Sequence, residues 1–391
     1  MDILYLSPAD WHGVRGRFQH LAERFAGDGH RVLYCDGLGV RTLRVRDLPR
    51  VKEKLRVALA GRAPVAREPL PDGLALAHPL ALPLPRWAPV KAVNRRLLRR
   101  QLVRAQAEHG VTPGLVWLSY PHPDLVAILD QWPDAHVVYD CVDAWDQFAG
   151  AYPDLAAAER ALLERADVVF ATAPALARRL ARHHPRVHHV GNGVDVARFQ
   201  GEPPPPADLA AIPGPRVGFV GNLAHWVDMA LVERLARALP EVHFVLVGPW
   251  QRPEAPPRHP NLHFLGARPY ARIPAYLAHF DLCLIPFEDS PLVRAVDPLK
   301  LYEYLAAGRP VASTPLPSAD PGLRDAVHWL TGDESDADTV RRALAGDDAE
   351  ARDLRRRLAA AHDWSHRYRA VLVHLAAAGL DLNGGGLRHA G

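Results

Sequence analysis

Cysteine, lysine, charge of one sign and long apolar runs are all scarce in this chain, and each scarcity excludes something. Its three cysteines, Cys35, Cys141 and Cys283, are odd in number and far apart, so neither a disulfide framework nor a zinc cluster is indicated and a reducing compartment is expected. No His, Cys and carboxylate residues recur at metal-ligand spacing, so no metal is expected. The 47 basic and 44 acidic residues leave a formal net charge of +3, too little to attract nucleic acid wholesale, and no nucleic-acid partner is expected. No stretch approaches the roughly 18 consecutive apolar residues of a membrane span. The opening MDILYLSPADW has no basic n-region before a long apolar core, which reads as a cytoplasmic protein. Only four of the 47 basic residues are lysines, Lys52, Lys54, Lys91 and Lys300, so a lysine stands out against an arginine-rich background.

What is present supports packed cores: 48% hydrophobic and 23% charged residues over 391 positions. At about 150 residues per domain, two to three domains are expected. Ile3 to Leu6 is a short apolar run; Gly13 and Gly16 break the chain; then Phe18, Leu21, Ala22 and Phe25 fall at i, i+3, i+4 and i+7. That spacing predicts a helix from about Arg17 to Asp28, with Gly29 as its stop and Val32 to Cys35 as the next strand. Buried-strand runs follow at Leu115 to Ser119, Val137 to Tyr139 and Val168 to Ala171, with helical patterns between them. The first half therefore reads as a parallel α/β sheet.

Prolines 203 to 206 and the Pro213-Gly214-Pro215 triplet predict a stiff extended linker and a domain boundary. Beyond it the pattern restarts, with strands at Val217 to Val220, Phe244 to Val247, Leu262 to Leu265, Leu282 to Ile285 and Val311 to Thr314, and helices at Met229 to Leu239 and Pro298 to Ala307. Residues from about Arg341 to Ala378 read as helical and Asn383 to Gly391 as a frayed tail. Between Arg41 and Gln106 prolines are many and strands few. Arg95, Arg96, Arg99, Arg100 and Arg104 lie there at helical spacing, with Val93, Leu97, Leu98 and Leu102 on another face. A basic amphipathic helix over 89–106 would either dock on anionic lipid or be the solvated face of a core helix.

The segment DPLKLYEYLAAGRPVAST, Asp297 to Thr314, resembles the nucleotide-sugar-binding segment of GT-B glycosyltransferases, above all the retaining members of glycosyltransferase family four. VVYDCVDAW (137–145), ADVVFATAP (166–174), HHVGNGVDVARF (188–199), RVGFVGNL (216–223) and HFVLVGP (243–249) follow in the family's order. Transferases of bacterial cell-envelope polysaccharides such as teichuronic acid are most similar. The resemblance implies a GT-B fold, α/β throughout: two Rossmann-like, doubly wound parallel sheets facing a central cleft. Residues 1–200 would bind the acceptor, 201–215 form the linker, 216–364 bind the nucleotide sugar, and 365–382 form a helix packing back on the first domain. It implies a hexosyl-type transferase, independent of metal and cofactor. Such an enzyme moves a sugar from a nucleoside diphosphate donor, UDP by default, to a hydroxyl of a glycan or lipid-linked acceptor. A peripheral place on the inner membrane face would suit it.

The residues of that segment have a physical reading of their own. Asp297 is a good N-cap, Pro298 and Leu299 open the helix, and Gly308 ends it. A helix start offers free N–H groups and a positive dipole end to a diphosphate. Lys300 adds a full charge in the first turn, and Glu303, three residues on, shares its face and can accept from vicinal ribose hydroxyls. The alternative is a surface Lys-Glu pair. By resemblance Glu303 binds ribose, and Gly221 and Asn222 of GFVGNL, with His225 of the loop after it, contact the donor; His225 and Asp228 stand in that loop in place of the family's basic residue. The family's first glutamate of a spaced pair would fall at Ala295, so Glu288, Asp289 or Asp297 would have to substitute, the donor would differ, or activity would be lost.

In the first half, Gly13, Arg15, Gly16 and Arg17 join a strand to a helix and could face a phosphate, although the turn lacks the G-x-G-x-x-G start of a dinucleotide site. A plain turn with surface arginines is the alternative. His122 follows the strand at Leu115 and takes, by resemblance, the role of a histidine near the reacting carbon. Asp140 and Asp143 are candidates to orient an acceptor hydroxyl or act as base. Two rival functions stay open: a catalytically silent GT-B protein that binds nucleotide or glycan, and a GT-B-fold nucleotide-sugar epimerase.

Overall fold

The structure is a computed structural model that describes residues 1–37, 69–82, 88–148 and 150–382. The predicted frayed tail and most of the proline-rich stretch after Arg41 lie outside the described residues. The chain divides into two units: Met1–Val190 with Tyr368–Gly391, and Gly191–Arg367.

The first unit holds a seven-stranded parallel sheet in the order β3-β2-β1-β4-β5-β6-β7. Its strands are β1 Asp2–Leu6, β2 Arg31–Cys35, β3 Leu74–Ala77, β4 Leu115–Leu118, β5 His136–Cys141, β6 Val168–Ala171 and β7 Val187–His189. Ile3 pairs with Val32 on one side and Leu115 on the other, so the order reverses at β1, where such sheets place their ligands. The strands are apolar without alternation because helices cover both faces. Tyr5 stacks on Tyr34 at 5.4 Å and on Trp117 at 5.8 Å, and Trp117 stacks on Phe170 at 5.6 Å. The helix Arg17–Gly27 buries Leu21, Ala22 and Phe25 against this ladder. From the far end of the sequence, the helix Trp364–Ala377 adds Tyr368, Val371 and Leu375 to the same core.

The second unit holds a six-stranded sheet, β10-β9-β8-β11-β12-β13, again parallel. Its strands are β8 Arg216–Val220, β9 His243–Val247, β10 Leu262–Gly266, β11 Leu282–Ile285, β12 Val311–Ser313 and β13 Val327–Trp329. The order reverses between β8 and β11, and the helix Leu299–Ala306 joins β11 to β12.

One expectation needs correction. The proline-rich stretch is not the boundary: the chain passes between units at Val190 and again at Arg367. Residues 201–215 belong to the second unit because Leu209 and Ile212 are buried in its core, the Asp208 carboxylate accepts from Arg268 and Tyr276, and His279 Nε2 lies 2.7 Å from the Pro203 carbonyl. The stretch after Arg341 is helical as expected, in three pieces: the end of Ser335–Ala345, then Ala349–Ala360, then Trp364–Ala377.

Candidate functional site

In the second unit the site grows from the helix Leu299–Ala306. Its first turn has Pro298 in the N-cap position and no side-chain cap, which leaves N–H groups of that turn to a ligand. Asp297, expected as the cap, is elsewhere engaged. Its carboxylate accepts the Asn192 N–H at 2.6 Å and the Tyr302 hydroxyl at 2.7 Å, while Asn192 Nδ2 donates to the Asp297 carbonyl at 2.6 Å. A long-range tie to the NGVD segment thus displaces the local cap and rules Asp297 out as a free contact for a sugar. Gly191 permits this tie, since a Cβ there would stand 3.1 Å from Asp297 Oδ2.

Lys300 lies over two aromatic rings, its Nζ 5.1 Å from the Phe219 centroid and 4.7 Å from that of Phe287. Burial lowers its pKa to about 8, an effect the nearby Glu303 carboxylate partly opposes. Beneath it runs Gly221, with φ +147°. A Cβ there would lie 3.2 Å from Nζ, and a Cβ on Gly248 would come within 1.8 Å of the Gly221 carbonyl oxygen. Both glycines are required for the ends of β8 and β9 to approach each other under the ammonium. Asn222 follows, half-buried. His225 is exposed, edge-on to Trp226 at 5.0 Å. Asp228 is not a stand-in for a basic residue: Oδ1 caps the helix Met229–Ala238 by accepting the Leu231 N–H at 2.8 Å.

Glu303 sits one turn after Lys300. The Tyr270 hydroxyl donates to its Oε1 at 2.9 Å. Burial raises its pKa; the Tyr270 bond, Lys300 and Arg198 pull the other way. Ala295 ends the short helix Pro291–Arg294 and is buried. Of the acidic substitutes, Asp289 is spent on an exposed bidentate pair with Arg294. Asp297 is spent as described. Glu288 is left, its pKa raised by burial and by Asp228.

In the first unit the expected phosphate loop is corrected. Arg17 is buried and chelates Asp140 with Nε at 3.0 and 2.9 Å, and its Nη1 donates to the Val190 carbonyl at 3.0 Å. Arg15 pairs with Glu23. Gly13 N–H turns back to the Asp10 carbonyl at 3.0 Å and Gly16 N–H bonds Gln19 Oε1 at 2.9 Å. All four groups already have partners within the unit, and Asp140 is an ion-pair partner rather than a base. Beyond β4, His122 is buried; its Nδ1 accepts the Asp124 N–H at 3.2 Å and its ring meets Tyr152 edge-on at 5.0 Å. Burial lowers its pKa to about 4, so at neutral pH it is an uncharged ring with its proton on Nε2, a donor and not a base. Asp143, beyond β5, has its carboxyl raised to about 7 by burial and can exchange a proton at neutral pH.

The helix start, Lys300, Glu303, Gly221 and Pro298 come together in one place. Tyr270, Arg198 and the rings of Phe219 and Phe287 belong there too and had no signal of their own in the sequence. Among the described residues no cluster of His, Cys, Asp and Glu is fit to hold a metal ion.

Residues 214–351 match the family described as glycosyl transferases group 1. TuaH of Bacillus subtilis (strain 168), named as a teichuronic acid biosynthesis glycosyltransferase, is 29% identical over 239 residues, 56% of this chain and 60% of the relative's length. The fold is also that of HepE (Alr3699) of Anabaena in complex with UDP, at 17% identity, TM-score 0.62, and coverage of 96% of this chain and 100% of that one. Sucrose-phosphate synthase of Thermosynechococcus elongatus shares it as well, at 18% identity, TM-score 0.65, and coverage of 96% and 99%. The chain thus has the GT-B fold, and its residues 214–351 match the glycosyl transferases group 1 family.

Proposed function

We propose that this protein is a glycosyltransferase of hexosyl type that uses a nucleoside diphosphate sugar, UDP-linked by default, and a hydroxyl of a glycan or lipid-linked acceptor in cell-envelope glycan synthesis. The observation that carries it is the uncapped start of Leu299–Ala306 with Lys300 and Glu303 one turn apart on it. The family match lies over this segment, HepE holds UDP on the same fold, and TuaH is named for a cell-wall polymer. In this reading Lys300 and the helix N–H groups hold the diphosphate, and Glu303 accepts from the ribose hydroxyls. The bond from sugar C1 to the donor phosphate breaks while the acceptor oxygen bonds C1. The acceptor proton passes to the donor phosphate, with retention at C1, and the leaving charge falls on Lys300 and the helix start without need of a metal or cofactor. His122 offers an Nε2–H and Asp143 a titrating carboxyl for the acceptor. Release of nucleoside diphosphate from a donor panel, stimulated by cell-envelope lipid extract, is the expected result. Binding without release would point to a silent binding protein, and conversion of the donor sugar without acceptor to an epimerase.

The Lys300 pKa gives this function a pH signature. Only the ammonium pairs with a diphosphate, and with a pKa lowered to about 8 it is mostly formed at pH 7 and mostly lost at pH 9. Nucleoside diphosphate affinity is therefore expected to fall about tenfold between pH 7 and pH 9; a flat calorimetric profile over that range would count against the assignment.

A second partner in this reading is an anionic membrane surface. No described helix is long and apolar enough to cross a membrane. In the helix Ala88–His109, Leu98 and Leu102 pack inward, and Arg95 and Arg99 pair with Asp124 and Asp130. Val93, Arg96, Arg100 and Val103 form the outward stripe, all exposed, with Leu80 and Leu82 exposed beside Gln101 and Asn94. Apolar and basic side chains so mixed suit an anionic lipid surface, here the cytoplasmic face. The protein is expected to sediment with phosphatidylglycerol vesicles at low salt and to be released by Arg96→Glu with Arg100→Glu; sedimentation indifferent to salt and to both charges would remove this partner.

A further inference from the structure

Glu303 has two carboxylate oxygens and they are not equivalent. Oε1 takes the Tyr270 hydroxyl at 2.9 Å, whereas Oε2 takes no hydrogen bond from the described residues. Tyr270 lies in the turn Tyr270–Arg272 after β10, 33 positions before Glu303. Its ring is held on two sides, edge-on by Phe199 at 6.2 Å and by the Arg198 guanidinium 5.3 Å from its centroid. Arg198 is itself tied to Asp195. Thus the helix Val196–Phe199 clamps the ring, the ring aims the hydroxyl, and the hydroxyl fixes the carboxylate.

We infer that Tyr270 is a positioning residue for Glu303, holding one carboxylate oxygen so that the other meets the nucleoside's vicinal hydroxyls, and that this pair selects ribose over 2′-deoxyribose. The inference rests on the donor site proposed above. A carboxylate pinned by a donor has one free oxygen in one orientation, and a diol can bridge to it. A nucleoside lacking the 2′-hydroxyl forfeits a charge-assisted bond and leaves that oxygen unpaired in a half-buried place, which is the condition for discrimination. Without the tyrosyl hydroxyl the carboxylate can rotate, and discrimination should fall. The groups facing Glu303 are Lys300 on its own helix, Tyr270 from the turn and Arg198 from the helix Val196–Phe199; all three favour the ionised form. Loss of one raises the pH at which Glu303 takes up a proton.

The test is calorimetric titration of the full chain and of Tyr270→Phe with UDP, 2′-deoxy-UDP and inorganic pyrophosphate between pH 5 and pH 8. The phenyl ring keeps its packing against Phe199 and Arg198, and pyrophosphate, which touches only the Lys300 end, reports whether the site is intact. The parent is expected to prefer UDP over its 2′-deoxy form by about tenfold. Tyr270→Phe should cut that preference to about twofold and lose UDP affinity at a higher pH, with pyrophosphate binding unchanged. A Tyr270→Phe protein with the parental preference and pH profile overturns the inference, as does one that loses pyrophosphate binding too. A parent that binds pyrophosphate and UDP but shows no preference instead overturns the assignment of Glu303 to ribose.

Discussion

Replacing Arg17 by methionine is expected to destabilise the protein by about 3–5 kcal/mol, the usual cost of leaving one member of a buried ion pair without the other. Both side chains are almost fully buried, at 2% and 0% exposure, so water cannot replace the guanidinium around Asp140. The same guanidinium holds the Val190 carbonyl, the last residue before the chain leaves the first unit. The bonds lost tie the N-terminus of the helix Arg17–Gly27 to β5 and to the chain after β7. Denaturant titration should show the midpoint fall sharply. Arg17→Met combined with Asp140→Leu should recover most of the loss, because an apolar pair needs no partner charge. An unchanged midpoint in Arg17→Met would return Arg17 to the role its position after a Gly-Val-Arg-Gly turn implies, a cation waiting for phosphate.

That contrast shows where the sequence is legible and where it is not. The central strands of both sheets announce themselves because a strand buried on both faces is a continuous apolar run. Strands β3, β7 and β13 do not: each has three or four residues, and β7, VHH, has none fully buried. Proline content predicts an extended path for 201–215 but says nothing of whether the path is free, and Leu209 and Ile212 anchor it. Asp297 has a local reason to cap a helix and a stronger one to bind Asn192, 105 positions earlier. Arg17 likewise answers to Asp140, 123 positions later. Lys300 and Glu303 were legible because one helical turn brings them together without help from the rest of the chain. Tyr270 was not, since nothing local distinguishes it.

Lys300→Ala is expected to weaken nucleoside diphosphate binding by on the order of 1.5 to 3 kcal/mol, roughly tenfold or more, the worth of a hydrogen bond to a charged group. The side chain is half-buried. The ammonium rests on the Phe219 and Phe287 rings above Gly221, where its field is less screened than in water. The fold should tolerate the change, because a cation whose pKa burial depresses is costly to keep in the unliganded protein. The pH dependence between 7 and 9 should vanish along with the affinity, since alanine has nothing to titrate.

The central claim is that the helix beginning at Leu299 grips the nucleoside diphosphate through Lys300 and Glu303. Its most direct test is calorimetric titration of the parent, Lys300→Ala and Glu303→Gln with UDP at pH 7. The account predicts a parent that binds, and two variants each weakened roughly tenfold or more. A parent that binds UDP, with both variants matching its affinity, would contradict it.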